Sequence, residues 1–349
     1  MDIERRIELI TQEPCEEIIT VEELRTLLST NAKPKHYIGL EISGLLHLGS
    51  LILTGYKIND ILNAGVECNV FLADWHTYIN DKMGGDWDMI KRASNYYAKA
   101  FNFFCKGVNI ILGSELYDNL YWQNLVKFNK HLTLARTLRA LTIMGRSEKD
   151  KLDFAQLIYP SMQAVDIHAL DVDIMHAGMD QRKVHMIVRE TFPKLGWKVP
   201  IAIHHRLLPG LGEPISLGLD EDSKIDQRIS SKMSKSKPWT SIFIHDEEEV
   251  IKQKIRKAWC PEKVIEGNPI LEIIRYIIFH EYKEFTVERA SKYGGNITFY
   301  NYKEVENAYL EGLHPMDVKN AVSIYLNKII EPVRKYLSND PIVSAISNL

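Results

Sequence analysis

At 349 residues the chain is too long for one ordinary compact domain, and two are expected. With 45% hydrophobic and 26% charged residues it has the composition of a water-soluble globular protein, and no apolar run approaches the roughly 18 residues that a membrane span needs. A formal net charge of −3 excludes a protein driven onto nucleic acid by bulk positive charge, though not one that uses small basic patches.

The start of the chain, Met1-Asp2-Ile3-Glu4, does not read as a signal peptide. Tyr37-Ile38-Gly39-Leu40 is an apolar run of strand length, followed by the turn pair Ser43-Gly44. Apolar residues then recur at Leu48, Leu51, Ile52, Ile58 and Leu62 with a helical period, and Gly65 supplies a stop. Val66 to Ala73 returns to strand character. Strand, helix and strand in this order predict a βαβ unit and a parallel sheet. Ligands of such sheets bind beyond the carboxyl ends of the strands. His47-Leu48-Gly49-Ser50 falls there, with His47 in the first helical turn beside amides that attract anions, and with Gly49 allowing a nucleotide close to the backbone. Asp74 and His76 are read at the end of the next strand, where a lone histidine fits a structural role as well as a functional one. Cys15, Cys68, Cys105 and Cys260 show no Cys-x-x-Cys spacing, which argues against a zinc site or a disulfide framework and fits a reducing cytoplasm.

Further along, Asn119 to Lys151 interrupts the alternation with a helical insertion. Basic residues gather at Lys127, Lys130, Arg136, Arg139 and Arg146, then at Arg182, Lys183 and Arg189; they suit either a solvated surface or a small RNA footprint. Tyr159, Gln163 and Asp166 share one helical face. Asp166 is either a surface charge or, among Val165, Ile167 and Ala169, part of a buried wall. Gly210, Gly212 and Gly218 lack the strand-to-helix context of a dinucleotide fingerprint, so Pro209 to Arg228 reads as a flexible connection. Ser230 to Thr240, rich in Ser and Lys, reads as a mobile loop. Within it Lys232-Met233-Ser234-Lys235-Ser236 sets two ammonium groups three positions apart, an arrangement that follows moving phosphate charge or simply faces water. After a boundary near residue 244 the pattern is helical over Glu247–Trp259, Pro269–His280 and Pro315–Leu337. In the last of these Val318, Val322, Tyr325, Ile329, Val333 and Tyr336 trace a stripe for core packing.

His-Leu-Gly-x followed by Lys-Met-Ser-Lys-Ser, on such a fold, resembles a class I aminoacyl-tRNA synthetase. The stretches HYIGLEISGLLHLG, FLADWHTYIN, IYPSMQAVDIHALDVDI, AGMDQRKVHM, CPEKVIEGNPILEI and LHPMDVKNAV resemble the archaeal type of tyrosyl-tRNA synthetase, from about residue 15 to residue 337. The resemblance implies an α/β fold: a Rossmann-type parallel-sheet catalytic domain over 1–243, with a dimer-forming helical insertion at about 119–151 and the KMSKS loop at 230–240. A mostly helical domain that binds the tRNA anticodon would follow over 244–349. The implied activity is the ATP-dependent, two-step attachment of L-tyrosine to tRNA(Tyr) through a tyrosyl-adenylate. ATP would be a substrate accompanied by Mg²⁺, with no structural metal and no membrane, in a cytoplasmic homodimer.

Residue by residue, the resemblance implies catalytic roles for His47, Ser50, Lys232 and Lys235. Tyr37 and Asp166 would hold the phenol hydroxyl, to which a carboxylate acceptor and a phenolic donor are suited. Tyr159, Gln163 and Gln181 would surround the amino group, with Gly39 and His76 completing the tyrosine site. ATP would contact Gly39, His47, Gly49 and the run Lys232, Met233, Ser234, Lys235 and Ser236. His314 and Asp317 would read the first anticodon base, although Pro315 and Asp317 equally suit a helix start. Three departures stand out: Ser50 replaces the usual second histidine, Ile277 falls where an aromatic stacking partner is expected, and Pro209 to Arg228 is longer and more acidic than the usual approach to Lys-Met-Ser-Lys-Ser. A tryptophanyl-tRNA synthetase, a nucleotidylyltransferase and a non-enzymatic RNA-binding relative remain as other readings.

Overall fold

The computed structural model of the protein describes residues 1–146, 149–220 and 222–347. Positions 147 and 148 of the expected insertion, 221 of the 209–228 stretch, and 348 and 349 lie outside the described residues. Two compact units emerge: Met1–Gly44, Lys57–Arg206 and Pro341–Leu349 form the first, and Leu45–Tyr56 with Leu207–Asp340 the second.

The first unit is built on six strands: β1 (Cys15–Ile19), β2 (Lys35–Leu40), β3 (Glu67–Leu72), β4 (Asn109–Leu112), β5 (Ile174–Gly178) and β6 (Ile201–His205). Their order is β1-β6-β5-β2-β3-β4, and every pair is parallel except β1 with β6. The expected βαβ unit is present. β2 pairs with β3 in parallel from Lys35↔Glu67 to Leu40↔Leu72, and the chain between them includes a wide helical turn, Leu48–Leu53, and the helix Thr54–Asn63. β5 and β6 are buried at every position, as strands covered on both faces are. The strand order reverses beside β2, and such a switch point opens a crevice at the carboxyl ends of the strands. The insertion is helical as expected, with helices Asn119–Asn129 and Leu134–Ala140 and a tight turn at Leu141–Met144. The helix Phe154–Ala169 is apolar almost all round, and every residue from Tyr159 to Ile167 is buried.

Histidines run through the sheet in two hydrogen-bonded chains. His36 Nε2 lies 3.0 Å from His176 Nδ1, and His176 Nε2 lies 2.8 Å from His205 Nδ1. Separately, His185 Nδ1 meets His204 Nε2 at 3.0 Å, and His204 Nδ1 meets Glu17 Oε2 at 2.8 Å. All five rings are buried. Burial holds His36 down to about 3 and His205 to about 4, and drives His176 and His185 well below the ordinary histidine range. The Glu17 carboxyl is lowered to about 2, first by its bond with His204 and also by Arg182.

In the second unit the helices are Ser223–Ser231, Glu248–Lys257, Pro269–Ile273 continuing through Glu281, Tyr302–Glu311 and Pro315–Leu337. The helices 248–257 and 315–337 pack along each other. Val318, Val322, Ile329 and Val333 of the expected stripe are buried, but Tyr336 is 54% exposed. Leu337 takes the buried position at that end instead. An antiparallel hairpin of β7 (Phe285–Val287) and β8 (Ile297–Phe299) was not foreseen, because three-residue strands are too short to show a period. No described helix is long and apolar enough to cross a membrane.

The histidine chains generate a pH prediction. A histidine whose folded pKa is depressed binds fewer protons folded than unfolded, so its contribution is full above the unfolded value near 6.5 and is lost as pH falls toward the folded value. Each of the four depressed histidines adds a slope of up to about 1.4 kcal/mol per pH unit below that point. Urea unfolding from pH 8 to pH 5 is expected to show stability dropping below about pH 6.5, less steeply in His176→Asn. A flat profile would mean that the chains accept protons within the fold.

Candidate active site

The carboxyl ends of β2, β3 and β5 lead directly into the polar residues of the first unit's crevice. On β2, Tyr37 and Gly39 point to the same face, two residues apart. A Cβ at position 39 would lie 2.3 Å from the Tyr37 hydroxyl oxygen, so glycine there makes room for the tyrosine's own tip. Tyr37 is buried, with its ring 5.8 Å from that of Phe71 on β3. Beyond β3 the chain turns at once into the short helix Asp74–Ile79, so Asp74 and His76 stand on a helix and not at a strand end as expected. The Asp74 carboxylate explains the sharp turn. It accepts from Trp75 N at 2.8 Å, Ser114 N at 2.9 Å and Ser114 Oγ at 2.5 Å, binding the helix to the turn after β4.

Asp166 settles the choice left open by the sequence: it is 1% exposed and forms part of a buried wall. The Tyr121 hydroxyl donates to its Oδ1 at 2.8 Å, while Oδ2 has no hydrogen-bond partner among the described residues. His76 Nε2 approaches Oδ2 at 3.5 Å. Burial holds His76 at about 3, so this ring is neutral and the contact is not an ion pair. Burial likewise pushes the Asp166 carboxyl well above its usual range, with the Tyr121 and Tyr117 hydroxyls pulling the other way. Two turns back on the same helix, Tyr159 places its ring edge-on to His76 at 4.5 Å and its hydroxyl 3.4 Å from Glu41 Oε1. Gln163 Nε2 donates to Gln181 Oε1 at 3.2 Å, and Gln181 Nε2 to the Ile143 carbonyl at 2.8 Å. Tyr37, Gly39, His76, Tyr159 and Asp166 are thus linked by contacts within this unit, and Gln163, on the same helix as Asp166, is bonded to Gln181. Sequence reasoning missed Glu41, Tyr117 and Tyr121. Glu41 follows β2 directly, a signal the sequence offered, whereas Tyr117 precedes the helix that carries Tyr121 and shares no helical period with it.

In the second unit the two signature segments are joined by backbone pairing. Leu48 N donates to the Ile242 carbonyl at 2.8 Å, Ile244 N to the Leu46 carbonyl at 3.1 Å, and His47 pairs with Phe243. Residues 241–246 follow closely on the lysine-rich turn. That turn is itself tied down, by Met233 N to the Leu208 carbonyl at 2.7 Å and Ser241 Oγ to the Ser234 carbonyl at 2.7 Å. The expected mobile loop thus begins as the end of the helix Ser223–Ser231 and continues as a compact turn, with Met233 buried.

His47 occupies the N-cap of its helical turn and corrects one expectation. Its Nδ1 accepts from Gly49 N at 3.1 Å and Ser50 N at 3.2 Å, so these amides are satisfied by the ring and not left for an anion. Ser50 Oγ accepts in return from His47 N at 2.9 Å, which closes a capping box. A Cβ at position 49 would come within 3.3 Å of the imidazole, so Gly49 makes room for the ring. Burial, then Lys235 and Lys232, drive the His47 pKa well down. With Nδ1 accepting and the ring neutral, the proton rests on Nε2, which is the ring's donor.

The 209–228 stretch is not a loose connection. Asp226 accepts from Leu219 N at 2.6 Å, Gly218 N at 3.1 Å and Ser230 Oγ at 3.1 Å, and Ile215 N donates to Ser231 Oγ at 2.8 Å. Several basic residues read as a possible RNA footprint are engaged within the first unit: Arg136 with Glu190, Arg146 with Asp81, Arg182 with Glu17 and Arg189 with Glu23. His314 is exposed and caps the helix Pro315–Leu337, its Nδ1 accepting from Met316 N at 3.2 Å, while Asp317 sits in the first turn. Both features of a helix start are therefore realised there.

A parallel sheet with a switch-point crevice, together with a histidine-capped turn paired beside a Lys-x-x-Lys turn, is the architecture of an amino-acid-activating enzyme. The profile of the family described as tRNA synthetases class I (W and Y) matches residues 29–331, and the chain belongs to that family. It is 46% identical to the tyrosine--tRNA ligase of Thermococcus kodakarensis, over 98% of this chain and 96% of that one. The crystal structure of the Pyrococcus horikoshii tyrosyl-tRNA synthetase complexed with L-tyrosine superposes with a TM-score of 0.92 at 44% identity, covering all of both chains. That of the Aeropyrum pernix tyrosyl-tRNA synthetase gives 0.86 at 39%, again over both whole chains.

Proposed function

We propose that the protein attaches L-tyrosine to tRNA(Tyr) at the expense of ATP, in two steps through a tyrosyl-adenylate. The observation that carries the reading is Asp166, a buried carboxylate with one oxygen bonded by Tyr121 and the other without a hydrogen bond, among aromatic rings. An acceptor in such a place suits a ligand that is aromatic and ends in a hydroxyl. Tyr37 is the donor to that hydroxyl, and His76 closes the wall beside it. Tyr159, Gln163 and Gln181 surround the amino group, and the Glu41 carboxylate near Tyr159 adds negative charge where an ammonium would lie.

In the first step the tyrosine carboxylate attacks the α-phosphorus of ATP, which arrives with its Mg²⁺, and pyrophosphate leaves. Phosphoryl-type transfer of this kind leaves little for acid–base groups to do, so the rate comes from positioning and from charge stabilisation. Lys232 and Lys235 meet the charge that builds on the phosphates. His47 offers its Nε2–H to a phosphate oxygen, and Ser50 acts by holding His47. Gly39, Gly49, Met233, Ser234 and Ser236 complete the ATP contacts as backbone and turn. In the second step a hydroxyl of the 3′-terminal adenosine of the tRNA attacks the adenylate carbonyl and AMP leaves. Residues 1–243 would carry this chemistry and residues 244–349 the anticodon contact.

Tyrosine-dependent pyrophosphate exchange tests the reading, and two variants divide it. Tyr37→Phe is expected to cost about 1–3 kcal/mol in tyrosine activation and much less with phenylalanine. Lys235→Ala is expected to slow adenylate formation by about 10²–10³ with tyrosine affinity almost unchanged. An unaltered tyrosine-to-phenylalanine ratio in the first, or lost tyrosine binding in the second, would count against these roles.

His314 and Asp317 would contact the first anticodon base, Asp317 by accepting from a guanine edge. His314→Ala together with Asp317→Ala is then expected to weaken tRNA charging while leaving pyrophosphate exchange intact, and charging at the normal rate would remove that assignment.

The insertion exposes Leu120, Trp122, Val126 and Leu134, with Phe154 just after it, which supports a two-fold homodimer formed through this surface. Sedimentation is expected to give a dimer at micromolar concentration; a stable monomer would sink the idea.

A further inference from the structure

We infer that Tyr121 is a positioning residue for substrate choice: its hydroxyl holds one oxygen of Asp166 so that the other is presented to the phenol of bound tyrosine. The inference rests on the proposed tyrosine-activating function and adds a residue to it. Tyr121 stands on the insertion helix Asn119–Asn129, far in sequence from Asp166, and is fully buried. Its oxygen lies 2.8 Å from Asp166 Oδ1 and 3.1 Å from the Met162 carbonyl, one turn back on the same helix as Asp166. A phenol has a single proton, and the shorter contact to the carboxylate is the stronger use of it. The ring cannot swing away, since it packs at 4.3 Å on Tyr117 and edge-on to Trp122 at 5.7 Å.

A carboxylate bonded at one oxygen has lost most of its freedom to rotate about its Cβ–Cγ bond. Asp166 Oδ2 is thereby fixed in the crevice, buried and without a hydrogen bond among the described residues. The other groups that face Asp166 do not provide the same tether. His76 is neutral and 3.5 Å away from Oδ2, Asp74 is a like charge, and Tyr37 and Tyr159 interact with it without a hydrogen bond to it among the described residues. Tyr117 assists: its hydroxyl favours the ionised form of Asp166 and also lies 3.4 Å from His76 Nδ1. Discrimination for a hydroxyl depends on how well its partner is held, because a misplaced acceptor gains little from the correct substrate.

The test is steady-state pyrophosphate exchange with tyrosine and with phenylalanine, on wild type, Tyr121→Phe, Asp166→Asn and the double variant, with thermal midpoints recorded. Tyr121→Phe keeps the ring and removes only the hydroxyl. It is expected to lower kcat/KM for tyrosine by about 10- to 100-fold and to leave that for phenylalanine nearly unchanged. Because the Tyr121 hydroxyl favours the carboxylate form, its loss is also expected to move the acid limb of kcat/KM for tyrosine to higher pH, with no such movement for phenylalanine. In the Asp166→Asn background the same change is expected to add almost nothing. An equal loss with both amino acids, a chain inactive with both, or a full additional loss in the double variant would overturn the positioning role. Absence of tyrosine-dependent exchange in the wild type would instead overturn the proposed function itself.

Discussion

Burying a carboxyl group short of hydrogen bonds costs free energy, and several residues of the first unit meet that constraint at Asp166. The helix that carries it is buried at every position from Tyr159 to Ile167, so no exposed face there offers water to the group. Compensation comes from Tyr121 on a different element, at 2.8 Å, with Tyr117 assisting, and Oδ2 has no hydrogen bond among the described residues. The half-satisfied state concentrates affinity for a hydroxyl at one point of the crevice. Gly39, Asp74 and Glu41 serve the same geometry from the ends of the strands. Gly39 makes room for the tip of Tyr37, Asp74 turns the chain so that His76 faces Asp166, and Glu41 holds the opposite end near Tyr159.

The second unit solves a different problem, which is to keep lysine ammonium groups close to a buried histidine. The short antiparallel pairing of residues 46–48 with 242–244 fixes the distance between the two signature segments through backbone hydrogen bonds. Lys254, buried with its Nζ 2.6 Å from Asp246 and 2.8 Å from the Ser241 carbonyl, anchors the segment that follows the lysine turn. Because Lys232 and Lys235 help to suppress protonation of His47, the site holds its positive charge on the flexible side chains and keeps the ring as a neutral donor. Compact ammonium groups on flexible stems suit a reaction in which the charge moves along a polyphosphate.

Four of the eight basic residues read as a possible RNA footprint are committed to ion pairs within the first unit. The arginines at 136, 146, 182 and 189 pair with acidic residues of the same unit, and Glu17 joins Arg182 to the end of a histidine chain. A basic cluster in a sequence is therefore a poor guide to an RNA surface when carboxylates from distant segments fold against it. The histidine chains are equally silent in the sequence, since His36, His176 and His205 become neighbours only through the pairing of β2, β5 and β6.

The sequence by itself determined the βαβ unit around residues 35–72, the helical insertion, the long helix from Pro315 to Leu337, and the family, because apolar periods and signature spacings are local properties of short windows. It also placed Tyr159, Gln163 and Asp166 on one helical face, since that requires only the helical repeat. It left open whether Asp166 was buried, and it missed Tyr121, Glu41 and the hairpin of β7 and β8. It assigned the amides after His47 to an anion, where the imidazole takes them. The tertiary structure decided these points for one physical reason. Burial, hydrogen-bond partnership and pKa depend on which atoms exclude water from a group, and here those atoms come from segments far away in the chain. Asp166 meets Tyr121 across 45 positions and Glu17 meets His204 across 187, separations over which no local pattern carries information.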